Sequence, residues 1–129
     1  MDPLSEFPVY AVLPCSDYGR ARAWYEEKLG MKPTSEEMGS GWYQCAGGTW
    51  FILSPSQHAG TAQNTAAGFT VKGIESVMDS LRSRGVEFLE YDMGDMGKTQ
   101  DGLMTFGDYK VAWLKDSEGN IIEISQVPS

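Results

Sequence analysis

The chain repeats one structural phrase, and that repetition limits what it can fold into more than any other feature. Residues 9–54 read as a strand, a helix and three further strands, and residues 66–126 read the same way. In the first unit Val9 to Leu13 is a short apolar strand closed by Pro14. Ser16-Asp17 offers a helix N-cap, because a short side-chain oxygen can accept from an unpaired first-turn N–H. Ala21, Trp24, Tyr25, Lys28 and Leu29 follow at helical spacing and leave Arg20, Glu26 and Glu27 for solvent. Gly30 supplies the stop. Trp42 to Ala46 and Thr49 to Leu53 form a hairpin about Gly47-Gly48.

The second unit opens with a strand over Ala66 to Val71 and a helix from Ile74 to Arg84, with Val77, Leu81 and Met78 as its apolar face and Gly85 as its end. Val86 to Tyr91 reads as a strand, and Lys110 to Lys115 with Ile121 to Gln126 as a closing hairpin. Residues 92–102, rich in glycine, polar residues and methionine, are flexible by composition and suit either a lid or a disordered hairpin tip. The expected fold is α+β: two βαβββ units forming paired curved mixed sheets around a cavity. A chain of 129 residues holds one such core, so residues 1–8 are a tail and 9–127 one domain, with 55–65 as the linker.

Eighteen acidic against ten basic residues give a net charge of −8, which argues against a nucleic-acid partner and permits a cationic ligand. No run approaches the roughly 18 apolar residues that span a membrane, and Met1–Phe7 lacks the pattern of a signal peptide. Cys15 and Cys45 have no metal-type spacing and read as reduced thiols, so a cytoplasmic location is expected. Cys15 has no histidine or basic cluster nearby to activate it and reads as inert. His58, the single histidine, falls in the linker and reads as a surface residue, which removes any Ser-His-Asp arrangement.

Strand alternation separates the faces. Trp50, Ile52 and Ser54 point one way, and Phe51 and Leu53 the other, onto the helix. Ala112 and Leu114 look toward the core, which turns Val111, Trp113 and Lys115 to the opposite side; Tyr10, Val12, Gly68 and Thr70 share that side. The candidate ligand residues are therefore Tyr10, Trp50, Ile52, Trp113 and Glu123. Core packing and ligand contact both stay open for Trp50 and Trp113, since a one-residue slip swaps their faces. Glu123, between Ile122 and Ile124, faces either cavity or solvent, and the cavity is the favoured reading.

The string Asp17-x-x-Arg20-Ala21-x-x-Trp24-Tyr25-Glu26-x-x-Leu29-Gly30, followed by Asp116-x-x-Gly119-Asn120-x-Ile122-Glu123, resembles the vicinal oxygen chelate superfamily. That group holds glyoxalase I, bleomycin resistance proteins, extradiol dioxygenases and fosfomycin resistance enzymes, and the resemblance runs from Val9 to Gln126. It implies metal-ligand positions at Tyr10, Ile52, Ala66 and Glu123, of which only Glu123 is an ordinary ligand. Open catalytic metal sites use about three protein ligands, so no metal and no cofactor are expected. The resemblance instead implies a homodimeric, antibiotic-resistance-type protein that binds a planar or cationic organic molecule, as bleomycin resistance proteins do. The alternative it leaves open is a glyoxalase-type lyase or isomerase acting on a small oxygenated metabolite, with Glu123 as general base. A third is a structural dimer with no surviving pocket.

Overall fold

The computed structural model describes residues 4–128. The chain runs β1 (Ala11–Cys15), α1 (Tyr18–Leu29), β2 (Ser35–Glu37), β3 (Ser40–Gln44), β4 (Trp50–Pro55), β5 (Thr65–Thr70), α2 (Ile74–Ser83), β6 (Met104–Phe106), β7 (Tyr109–Lys115) and β8 (Ile121–Gln126). Unit one makes a four-stranded sheet in the order β1-β4-β3-β2, and unit two repeats it as β5-β8-β7-β6. In each, the first strand lies parallel to the last and the remaining pairs are antiparallel. This is the α+β architecture of two βαβββ units that the repeat implies.

Helix α1 begins and ends where its caps put it. Asp17 Oδ1 accepts the Arg20 N–H at 3.0 Å, and Gly30 takes a left-handed conformation with φ of 69° that a Cβ would disfavour. Its buried residues are Ala21 and Tyr25, with Trp24, Lys28 and Leu29 half-buried beside them. Tyr25 meets Tyr43 and Phe51, and those two rings stack at 4.8 Å across the β3–β4 ladder. Leu13, Cys15, Leu53, Leu114 and Ile122 complete this core, which therefore joins both units on their helix side. Each such side chain taken from water contributes about 1.5–3 kcal/mol. In α2 the fully buried residues are Ile74 and Met78, while Val77 and Leu81 are only half-buried, so the apolar face is rotated from the sequence expectation.

Three expectations are corrected. The first strand spans 11–15, not 9–13, and Pro14 lies inside it. Because β1 is an edge strand paired only with β4, the missing proline N–H costs no ladder bond. Residues 86–91 form no strand: Phe88 makes an isolated bridge to Leu114, and the Leu89 N–H donates to the Trp113 carbonyl at 2.8 Å. The short β6 pairs only with Tyr109–Val111, so this segment takes up the remaining edge of β7. Residues 92–102 are an internally bonded hairpin, not a disordered tip. The Met93 N–H donates to the Gly97 carbonyl at 2.8 Å, and the Glu90 carboxylate accepts from the Gly102 N–H at 3.0 Å.

Candidate functional site

The face of each sheet turned away from the helices carries a cross-strand row of three residues. In unit one, Val12 on β1 opposes Ile52 on β4, which opposes Trp42 on β3. In unit two, Gly68 on β5 opposes Glu123 on β8, which opposes Trp113 on β7. The tryptophan precedes its partner by ten positions in both units (42 to 52, 113 to 123). That spacing is the signal that marks Trp42 as the counterpart of Trp113, and sequence reasoning passed over it.

Unit one's row is apolar throughout, with Val12 exposed and Trp42 half-buried. Ile52 is buried, and Tyr10, just before β1, stacks on Trp50 with ring centroids 5.2 Å apart and planes 22° from parallel. Trp50 borders a cavity of about 390 Å³ with Ala11, Cys45, Thr49 and Gly68. In unit two Trp113 is buried with Met104 and Ile121, and Glu123 is half-buried. Glu123 Oε1 accepts the Trp113 indole N–H at 3.1 Å, and Tyr91 meets the same indole edge-on at 5.2 Å. Above this pair lies a cavity of about 510 Å³ whose apolar wall includes Met93, Met96, Met104, Phe106 and Val111. The amine of Lys110, also at the rim, is engaged by Glu75 at 2.6 Å. The five sequence-selected residues thus form two groups: Trp113 with Glu123 on unit two, and Tyr10 with Trp50 and Ile52 on unit one.

The donor set does not fit the metal that the resemblance brings to mind. The positions the resemblance implies hold Tyr10, Ile52, Ala66 and Glu123, and the paired strand centres hold Val12, Ile52, Gly68 and Glu123; in either set Glu123 is the one ordinary ligand. Tyr10 is held against Trp50. Among the described residues no three His, Cys, Asp or Glu side chains come together as a metal group.

Most of the motif that carried the resemblance does structural work in a clasp between the units. Asp116, in the β7–β8 turn, accepts the Tyr25 hydroxyl at 2.7 Å, the backbone N–H groups of Glu118 and Asn120, and the Asn120 amide at 2.8 Å. That amide also donates to the Pro14 carbonyl at 2.9 Å. Glu118, its side chain fully buried, accepts from the Ser16 and Asp17 N–H groups at 2.9 and 3.0 Å. Arg20, expected to face solvent, binds Glu118 with Nε and Nη2 at 2.9 and 3.0 Å while its outer side stays exposed. Burial alone would raise the Glu118 carboxyl, but hydrogen bonds from Arg20, Ser117 and the two backbone N–H groups bring it down to about 2. Gly60 and Gly119, both at positive φ, let linker and turn touch: a Cβ on Gly119 would sit 2.8 Å from Gly60 Cα. Cys15 lies buried beside the clasp, and burial, then Glu118, Asp116 and Asp17, push its thiol up to about 11, which leaves it inert. His58 is exposed in the linker.

No described helix is long and apolar enough to cross a membrane. No curated protein matches the chain. Solved structures do. A glyoxalase / bleomycin resistance protein from Catenulispora acidiphila is 24% identical over 95% of this chain and 99% of its own, with a TM-score of 0.70. An integron cassette protein from the mobile metagenome of Vibrio cholerae is 22% identical over 97% and 99%, with a TM-score of 0.63. The fosfomycin resistance protein FosX from Listeria monocytogenes, solved with Mn(II) and sulfate, is 10% identical over 97% and 93%, with a TM-score of 0.70. Likeness at these identities shows the fold alone. The sequence profile goes further: it matches residues 8–124, and the chain belongs to the Glyoxalase/Bleomycin resistance protein/Dioxygenase superfamily.

Proposed function

We propose that this protein binds a planar or cationic organic molecule on the open face of unit two, without a resident metal, and works as a homodimer. The observation that carries the reading is the Trp113–Glu123 pair under an apolar cavity. One carboxylate oxygen is steadied by the indole, and the other accepts no hydrogen bond among the described residues. A ligand cation brought to it exchanges hydration for a charge pair in a partly dry site, whereas an anion meets like charge there. Aromatic and thioether walls suit a flat apolar body. The dimer rests on exposed apolar residues of both faces, Tyr10 and Val12 on one and Tyr109 and Val127 on the other, which a two-fold mate would cover.

A second reading has one observation in its favour. The same oxygen of Glu123, unpartnered among the described residues at the cavity wall, is available to take a proton, which suits a lyase or isomerase of a small oxygenated metabolite. Titration calorimetry with cationic, neutral and anionic aromatics, on wild type and Glu123→Gln, separates the two. Binding expects the cations to lose affinity in Glu123→Gln while neutral isosteres keep theirs. Loss of turnover of a hydroxy or keto compound in that variant promotes the enzyme. About one transition metal per chain after dialysis, or a monomer in sedimentation equilibrium at micromolar concentration, overturns the corresponding part of the proposal.

A further inference from the structure

Gly68 sits in β5 just after the register shift between Thr65 and Ala67, at a ladder position where a glycine weakens a strand. Its backbone is not in the left-handed region, and a Cβ built on it meets nothing nearer than Glu123 Oε2 at 3.6 Å and Glu123 Cβ at 3.7 Å, both ordinary contacts. Neither chain conformation nor packing therefore selects glycine. What the missing side chain provides is open space facing the free oxygen of Glu123. The equivalent position in unit one carries the branched side chain of Val12, opposite Ile52. Gly68 borders the cavity of about 390 Å³ that Trp50 also lines, and Glu123 borders that of about 510 Å³.

We infer that Gly68 is the specificity-determining residue of the site. It admits the N–H group of a primary or secondary ammonium to Glu123 Oε2, and the ligand's apolar body lies along Met93, Met96 and Phe106. This rests on the reading of unit two as a cation-binding face and adds to it the class of ligand, a hydrogen-bonding amine with a flat apolar body. Oε1 already holds the indole proton, so a ligand that brings its own N–H completes the carboxylate's bonding. A quaternary ammonium has no proton to offer that oxygen.

Titration calorimetry on the full chain with 2-(1-naphthyl)ethylamine, its N,N,N-trimethyl derivative and 2-(1-naphthyl)ethanol tests this. The primary amine is expected to bind wild type at least about tenfold more tightly than the trimethyl form. Gly68→Val is expected to raise the amine's Kd by about tenfold or more, and Gly68→Ala by less, with a melting temperature no lower than wild type. Equal binding of the two cations, or an unchanged amine Kd in both Gly68 variants, overturns the inference. If Glu123→Gln then still abolishes amine binding, the cation-binding reading survives without it. Absence of amine binding to wild type overturns both. Should Gly68→Val fail to fold, Gly68→Ala carries the comparison.

Discussion

The two open faces use the same three positions and differ at two of them: Val12, Ile52 and Trp42 against Gly68, Glu123 and Trp113. Both rows satisfy the same ladder, because the ladder is backbone and is indifferent to what the side chains carry. Unit one keeps its row apolar, with Ile52 buried and the Tyr10–Trp50 stack on the same face. Unit two gives up an apolar strand centre for a carboxylate and a gap. On the proposed reading, a duplicated fold lets one copy supply rigidity while the other departs from good packing to hold a ligand.

The sharpest way to break this comparison is to loosen the frame that holds the copies together. Asp116→Ala removes the shared acceptor of the clasp and strands the buried Tyr25 hydroxyl and two backbone N–H groups. We expect a loss of about 3–5 kcal/mol, read from urea denaturation, with the transition still single. A loss under about 1 kcal/mol would mean that the aromatic core, not the clasp, sets the relation of the units.

Acid should act next. Glu118 sits at about 2 in the folded chain against an ordinary 4.5, so its contribution is complete above about 4.5 and disappears as pH falls toward 2. With the exposed side of Arg20 screened by solvent, the effect is about 2–3 kcal/mol. Glu118→Gln should flatten the stability–pH curve in that window alone. A slope equal to wild type would move the acid sensitivity elsewhere.

How much of this was legible in the sequence follows from which signals are local. The repeat, the Asp17 and Gly30 caps and the alternation in β4 and β7 depend on neighbours a few residues apart, and all are visible in the string. The segment 86–91 looks like a strand by composition, yet whether it pairs is decided by how much of the β7 edge the short β6 leaves free, which is a tertiary matter. The clasp is the opposite case. Several of its residues stood out in sequence as a motif, but their partners lie 91–106 positions away, so a structural joint could not be told from a site. Tyr10, Trp50 and Ile52 share one face by parity, and parity does not say that this face belongs to the other sheet from Glu123.

A smaller effect tests whether the faces act separately. Tyr10→Ala deletes the stack on Trp50 and should cost about 0.5–1.5 kcal/mol of stability. The amine affinity of unit two should change by less than about twofold, because Tyr10 borders neither Glu123 nor the methionine wall. A tenfold loss of affinity, by the same calorimetry, would mean that one ligand spans both faces, and the contrast drawn above would then describe two ends of a single site.

The smallest expected effect is the most diagnostic. Gly68→Ala should raise stability by about 0.5 kcal/mol, because alanine reduces the freedom of the unfolded chain and the new methyl enters ordinary contact. Gly60→Ala makes the control. There φ is +79° and the new Cβ would lie 2.9 Å from the Glu118 carbonyl oxygen, so the same substitution should destabilise. Opposite signs at the two glycines, measured as melting temperatures under one condition, would separate a glycine kept for the backbone from one kept for a ligand. If Gly68→Ala also destabilises, the glycine is serving the strand itself, and unit two's row is a packing feature like its counterpart in unit one.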